Sequence, residues 1–250
     1  MMKKNNKNRD MLTPEETRKT IGTNLSFAAA EAYKLLRTNL EFSLPAKAGC
    51  QVIGVTSALR GEGKSTTSIN IAYTMAQTGK RVLLIEADLR MSTIARRLQI
   101  HTKPGLSNLM VGQCNGKDVL QRSGLNPNLW VITAGDTPPN PAELLGSNPM
   151  AVIMKAMSKL FDIIIVDLPP VTAVSDVLIV SKHLDGIMLV VRQDYCDQGS
   201  LDDAVRQLRF ADAQILGFVM TGADTQKKGY KRYASYGYYR RSDSKEDRKV

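Results

Sequence analysis

Ala58-Leu59-Arg60-Gly61-Glu62-Gly63-Lys64-Ser65 follows the spacing Ala/Gly-x-x-x-x-Gly-Lys-Ser/Thr, with Thr66 next in line. Glycines at 61 and 63 allow backbone N–H groups to turn inward around a chain of phosphates. A helix starting at Lys64 adds the positive end of its dipole. The backbone of Arg60, Gly61, Glu62 and Gly63, with Lys64, Ser65 and Thr66, is the expected ATP-binding set. Lys64 reaches the β- and γ-phosphates and the Ser65 hydroxyl holds Mg²⁺. The context agrees: an apolar run, Val52-Ile53-Gly54-Val55-Thr56, leads in, and a helical stretch leads out.

Two further apolar runs end in carboxylates. Ile164-Ile165-Val166 delivers Asp167, a Walker B arrangement that brings one carboxylate to the Mg²⁺ shell. Val82-Leu83-Leu84-Ile85 delivers Glu86-Ala87-Asp88-Leu89-Arg90. This second cluster places Asp88 near Mg²⁺ or its waters and offers a carboxylate, Glu86 or Asp88, as general base. A base beside the γ-phosphate takes the proton of an attacking hydroxyl. The candidate catalytic residues are therefore Lys64, Glu86, Asp88 and Asp167, and the candidate metal residues Ser65, Asp88 and Asp167.

Positioning these groups requires strands that end together. The periodicity predicts strands over 51–57, 81–86, 129–133, 162–167, 186–192 and 214–221. It predicts helices over 64–78, 92–99, 141–159 with a break near Pro149, 174–182 and 199–210, after a first helix from Ser26 to about Phe42. Near-continuous apolar strands alternating with helices make an α/β fold, a P-loop NTPase with a doubly wound, mostly parallel sheet flanked by helices. Ala28, Ala32, Leu35, Asn39 and Phe42 share one face of the first helix and are expected to dock it on the domain. Met150, Met154 and Met157 read as a core stripe and Trp130 as a sheet residue.

The 250 residues suit one large domain. Residues 1–24 read as a disordered basic arm, 25–223 as the nucleotide-binding domain, and 224–250 as a flexible basic tail. The net charge is +10. Residues 1–9 carry four positive charges; residues 226–250 carry nine positive and three negative. The basicity thus belongs to the ends, and no nucleic-acid face is expected on the body. Cys50, Cys114 and Cys196 show no metal-ligand spacing, which fits a reducing compartment. No apolar run reaches the ~20 residues that span a bilayer, and the start of the chain does not read as a secretory signal.

Five of the eight tyrosines fall at Tyr230, Tyr233, Tyr236, Tyr238 and Tyr239, in a stretch without apolar partners. A Tyr- and Arg-rich tail alone also fits RNA binding by stacking and charge. Beside a kinase-like domain, which the resemblance described next implies, it reads as a set of phosphoacceptors. Phosphorylating all five would take the tail from +6 to about −2 to −4.

Taken together, these features resemble the bacterial tyrosine kinases (BY-kinases), the cytoplasmic kinases of capsule and exopolysaccharide gene clusters. The resemblance rests on the P-loop, the Walker A′ run ending Glu86-x-Asp88-x-Arg90, Walker B, and the tyrosine cluster. It also rests on Glu31-Ala32-Tyr33-Lys34-Leu35-Leu36-Arg37-Thr38-Asn39-Leu40 and Ala134-Gly135-Asp136-Thr137-Pro138-Pro139-Asn140-Pro141-Ala142-Glu143-Leu144-Leu145. It implies an ATP- and Mg²⁺-dependent protein-tyrosine kinase that autophosphorylates its tail in trans. Implied partners are further copies in a ring, a transmembrane polysaccharide co-polymerase-type modulator, a cognate tyrosine phosphatase and protein substrates. The implied location is the cytoplasm, at the inner face of the membrane through the modulator. The family's oligomerisation motif Glu-x-x-Arg-x-x-Arg maps to Glu31, Lys34 and Arg37. Glu86 stands where the family usually has Asp. A ParA/MinD-like positioning ATPase is the competing reading, but its signature Lys is replaced here by Leu59. An inactive scaffold is a third.

Overall fold

The computed structural model describes residues 20–223. The tyrosines at 230–239 expected to be acceptors, the rest of the tail and residues 1–19 lie outside the described residues.

Ser26 starts the first helix: its Oγ accepts the Ala29 N–H at 3.3 Å. That helix, α1, spans Phe27–Ser43 and stops before Pro45. Then follow β1 (Gln51–Ser57), α2 (Lys64–Ala76), β2 (Val82–Glu86), α3 (Ile94–Leu98), α4 (Leu106–Met110) and α5 (Gly116–Val119). The chain continues through β3 (Gln121–Arg122), β4 (Leu129–Ile132), α6 (Pro141–Gly146), α7 (Asn148–Met157) and β5 (Ile163–Asp167). It closes with α8 (Asp176–Ser181), β6 (Gly186–Arg192), α9 (Gln198–Phe210) and β7 (Ile215–Thr221).

The seven strands lie in the order β3-β4-β2-β5-β1-β6-β7. Only β3–β4 is antiparallel; the other pairs are parallel. β2 and β5 are buried along their whole length, as a sheet covered on both faces demands. One core holds Ile53 and Ile165 of the sheet with Ile69 and Ile71 of α2, Leu40 of α1 and Ile94 of α3. The other holds Leu83, Ile164 and Leu189 against Met150, Met154, Val177 and Leu208. The methionine stripe is core, as expected.

Two expectations need correction. Leu35 and Phe42 are 48% and 86% exposed, so the face with Ala28, Ala32 and Asn39 is not the docked one. Leu40 is buried, Leu36 packs against the same core as Leu40, and Arg37 donates to the Thr74 carbonyl at 3.0 Å. The helix carries two apolar stripes, and the one rotated toward α2 wins. The arm drawn as ending at 24 is also shorter: Ile21 is buried, and Gly22 N donates to Asn70 Oδ1 at 2.9 Å. Helices α4 and α5 and strand β3 had no sequence signal, being two to five residues long and without a measurable period.

The Ala134-Gly135-Asp136 stretch has a packing role. Leu106 N and Ser107 N donate to the carbonyls of Thr133 and Ala134, at 2.7 and 3.0 Å, so α4 is stitched to the end of β4. A Cβ on Gly105 would lie 2.3 Å from Gly135 N and 2.4 Å from the Thr133 carbonyl oxygen. Neither backbone atom can step aside cheaply. Gly105→Ala is therefore expected to lower unfolding free energy by about 1–3 kcal/mol, read from denaturant midpoints.

Candidate active site

The parallel register sets the site. β1, β2 and β5 are neighbours, and Glu86 of β2 stands opposite Asp167 of β5, which stands opposite Val55 of β1. β2 and β5 end at one level and β1 runs two residues further, to Ser57, at the same edge of the sheet, so the loops that follow them converge. The loop after β1 enters α2 at Gly63, whose φ of 90° is left-handed and suits glycine. No side chain caps α2. Its first-turn N–H groups have no partner within the helix and are left for an anion.

Lys64 lies between two carboxylates, with Nζ 2.8 Å from Asp88 Oδ2 and 3.6 Å from Asp167 Oδ2. Burial works against the ammonium, yet Asp167 and Asp88 outweigh it and hold its pKa above the usual lysine value. Asp167 is fully buried, and burial raises its pKa against Lys64, Ser65 and Ser68. Ser65 Oγ donates to Asp167 Oδ2 and Ser68 Oγ to Oδ1, each at 2.8 Å. Lys64, Ser65, Asp88 and Asp167 thus meet in one place, as the motifs predict. Ser68 was missed; its position one turn after Ser65 was the available signal.

Glu86 lies beside Asp167 in register but has different hydrogen-bond partners. Its Oε1 accepts the N–H groups of Thr93 and Ile94, at 2.5 and 2.8 Å, and its Oε2 that of Ala134 at 3.2 Å. The residue is 0% exposed. Burial pushes its carboxyl up to about 7 against the lowering by the Ile94 and Thr93 N–H groups. Glu86 ties β2 to the start of α3 and the end of β4, with both oxygens engaged by backbone N–H groups. Asp88 has Oδ1 on Met91 N at 3.0 Å and Oδ2 on Lys64 alone.

The Glu62 side chain also turns away from the phosphate loop's mouth. It accepts Leu59 N at 2.6 Å and Arg192 N at 3.2 Å, bracing the loop from beneath. Thr221 Oγ1 donates to the Glu62 carbonyl at 2.7 Å from the end of β7. Arg60 and Gly61 are exposed at the loop's tip. Thr66 Oγ1 accepts from Arg97 at 3.0 Å, an arginine the sequence reading left out. Arg90 forks onto the fully buried Asp176 at 2.9 and 3.1 Å, tying the loop after β2 to the start of α8. Of the three residues expected to join copies, Glu31 pairs with Lys34 at 2.7 Å on the exposed side, while Arg37 is anchored to its own domain.

A family model described as an AAA domain matches residues 50–210. Tyrosine-protein kinase YwqD of Bacillus subtilis (strain 168) is 35% identical over 215 residues, covering 86% of this chain and 88% of the relative. The chain belongs to the bacterial tyrosine kinase family. Tyrosine-protein kinase CpsD of Streptococcus agalactiae is 32% identical over 208 residues, 83% of this chain and 89% of that one. Among solved structures, the kinase domain of Escherichia coli tyrosine kinase ETK aligns with a TM-score of 0.73 and 31% identity, covering 80% of this chain and 79% of that one. The septum site-determining protein MinD of Pyrococcus horikoshii OT3 aligns at 0.58 with 19% identity over 68% of this chain and 70% of that one, which shows a shared fold alone. Leu59 packs against the core of this bacterial tyrosine kinase.

Proposed function

We propose that the protein transfers the γ-phosphoryl group of ATP to tyrosine hydroxyls, first in trans to Tyr230, Tyr233, Tyr236, Tyr238 and Tyr239 of its own tail. Through this it regulates capsular or exopolysaccharide synthesis and export with a membrane modulator protein, at the inner face of the cell membrane. The observation that carries the reading is Asp88: a second carboxylate, besides Asp167, held 2.8 Å from the phosphate-loop lysine.

The residues present fit a nucleotide and Mg²⁺. The uncapped start of α2 supplies N–H donors, and Lys64 supplies a cation for the β- and γ-phosphates. Ser65 and Asp167, joined at 2.8 Å, are the oxygen pair that would hold Mg²⁺, an ion that takes one or two protein oxygens and completes its shell with phosphates and water. Mg²⁺ neutralises charge developing on the transferred group. Of three carboxylates, Glu86 has both oxygens on backbone N–H groups and Asp167 has both on serines. Asp88 is engaged too, by the Met91 N–H and by Lys64, but its Oδ2 faces an ammonium that the phosphates would draw toward themselves, and it is the carboxylate proposed to take the phenolic proton, a role worth about 10²–10⁴-fold in rate.

Incubation with ATP and Mg²⁺ followed by phosphosite mass spectrometry tests the reading. Phosphate is expected on residues 230–239, increased by the modulator's cytoplasmic segment. Its absence from those residues with and without that segment counts against it.

Assembly through α1 is part of the proposal, supported by its exposed Leu35 and Phe42. Leu35→Asp with Phe42→Asp is expected to shift the light-scattering mass to a single chain while leaving the melting temperature within a few degrees. A mass unchanged from the assembled wild type would place the interface elsewhere.

A further inference from the structure

Tyr195, in the turn between β6 and α9, is 50% exposed and is the most exposed tyrosine among the described residues. Its hydroxyl donates to the Arg60 carbonyl at 2.9 Å, at the tip of the phosphate loop. The same oxygen lies 3.4 Å from where a Cβ on Gly61 would sit. Arg192 stands beside both: its guanidinium is 5.4 Å from the Tyr195 ring centre, and its Nη1 is 3.5 Å from the Gly61 carbonyl oxygen. A tyrosine kinase thus has an accessible phenol latched onto its own ATP-binding loop.

We propose that Tyr195 is a phosphorylation site of this kinase and that phosphate there closes the ATP site. The inference rests on the tyrosine kinase activity. In the reaction, the Tyr195 phenol oxygen of one copy attacks the γ-phosphorus of ATP held by a second copy. The bond from that phosphorus to the β,γ-bridging oxygen breaks and ADP leaves. The phenolic proton passes to a carboxylate of the second copy's site.

The inhibition follows from what the ester does to the latch. A phosphorylated phenol oxygen has no proton, so the donor to the Arg60 carbonyl is lost. In its place stand acceptor oxygens carrying about −1.5 to −2 of charge. They face a carbonyl oxygen, which repels them, and draw Arg192 from the Gly61 carbonyl toward themselves. The loop that must wrap an anionic triphosphate then carries an anion at its tip, and like charges at such range oppose binding. Tail phosphorylation leaves the catalytic loop untouched, whereas modification of Tyr195 would stop the copy that bears it. The device limits turnover in an assembly whose subunits phosphorylate one another.

Two measurements test this on the full chain. In the first, catalytically inactive Lys64→Met chain is mixed with wild type, ATP and Mg²⁺, and phosphate is mapped on the Lys64→Met chain. Phosphate on Tyr195 supports the proposal. Phosphate on residues 230–239 but not on Tyr195 overturns it and leaves the tail reading standing. Phosphate on neither, with and without the modulator's cytoplasmic segment, overturns both. In the second, phosphotyrosine is placed at 195 by genetic encoding and binding of a fluorescent ATP analogue is measured, with Tyr195→Phe as the control that lacks only the hydroxyl. The phosphorylated chain is expected to bind about tenfold or more weakly, and Tyr195→Phe within about threefold of wild type. Equal binding by the phosphorylated chain and Tyr195→Phe would overturn the inhibition.

Discussion

Lys64→Met is expected to lose phosphoryl transfer by about 10³-fold or more, and also to unfold at a lower temperature than the wild type. The first effect follows from removing the cation of the phosphate site. The second follows from what the lysine does with no nucleotide bound. It faces Asp88 at 2.8 Å and Asp167 at 3.6 Å, and both carboxylates are buried. Methionine fills much of the space but leaves the two carboxylates uncompensated. Breaking a buried pair by removing one partner costs about 3–5 kcal/mol. Adding Asp167→Asn to Lys64→Met should restore much of the lost stability, because the amide keeps contact with Ser65 and Ser68 without a charge. Activity should stay absent in the double variant. Denaturant melts of the two single variants and the double give the coupling directly. If Lys64→Met melts at the wild-type temperature, the ammonium is not the counter-ion of this carboxylate pair.

That pair shows which parts of the site were legible in the sequence. Lys64, Ser65 and Asp167 were readable because each is fixed locally, two by a loop entering a helix and one by the end of a strand. Parallel register then brings them together without further information, since Val55, Asp167 and Glu86 are matched across β1, β5 and β2. The role of Glu86 was not readable. It depends on N–H groups seven, eight and forty-eight residues away, which converge only after α3 and the end of β4 are packed. Asp176 was silent for the same reason, its partner Arg90 being 86 residues distant. The docked face of α1 was misread because period alone cannot rank two apolar stripes. The contact with α2 ranks them, through Leu40 and the bond from Arg37 to Thr74.

The second large effect separates Asp88 from Glu86, two carboxylates that differ by two positions and have unlike surroundings. Asp88→Asn is expected to lower kcat by about 10²–10⁴-fold, the usual worth of a general base, with a melting temperature close to wild type. Asparagine still accepts the Met91 N–H, so the loop after β2 keeps its anchor. Glu86→Gln should behave in the opposite way. The amide nitrogen brings a donor against a backbone donor, Thr93, Ile94 or Ala134, and an unsatisfied buried donor costs about 1–3 kcal/mol. Stability falls, while kcat measured on the folded fraction stays within about tenfold of wild type. Glu86→Asp is expected to destabilise too, because the shorter arm cannot span from β2 to both α3 and Ala134. Raising Mg²⁺ tells a proton acceptor from a metal holder at Asp88: a rate that recovers in Asp88→Asn at high Mg²⁺ assigns it to the ion, and one that stays low assigns it to the phenol. Should Glu86→Gln lose kcat as deeply as Asp88→Asn with its stability intact, the base is Glu86, and its three N–H partners open during turnover.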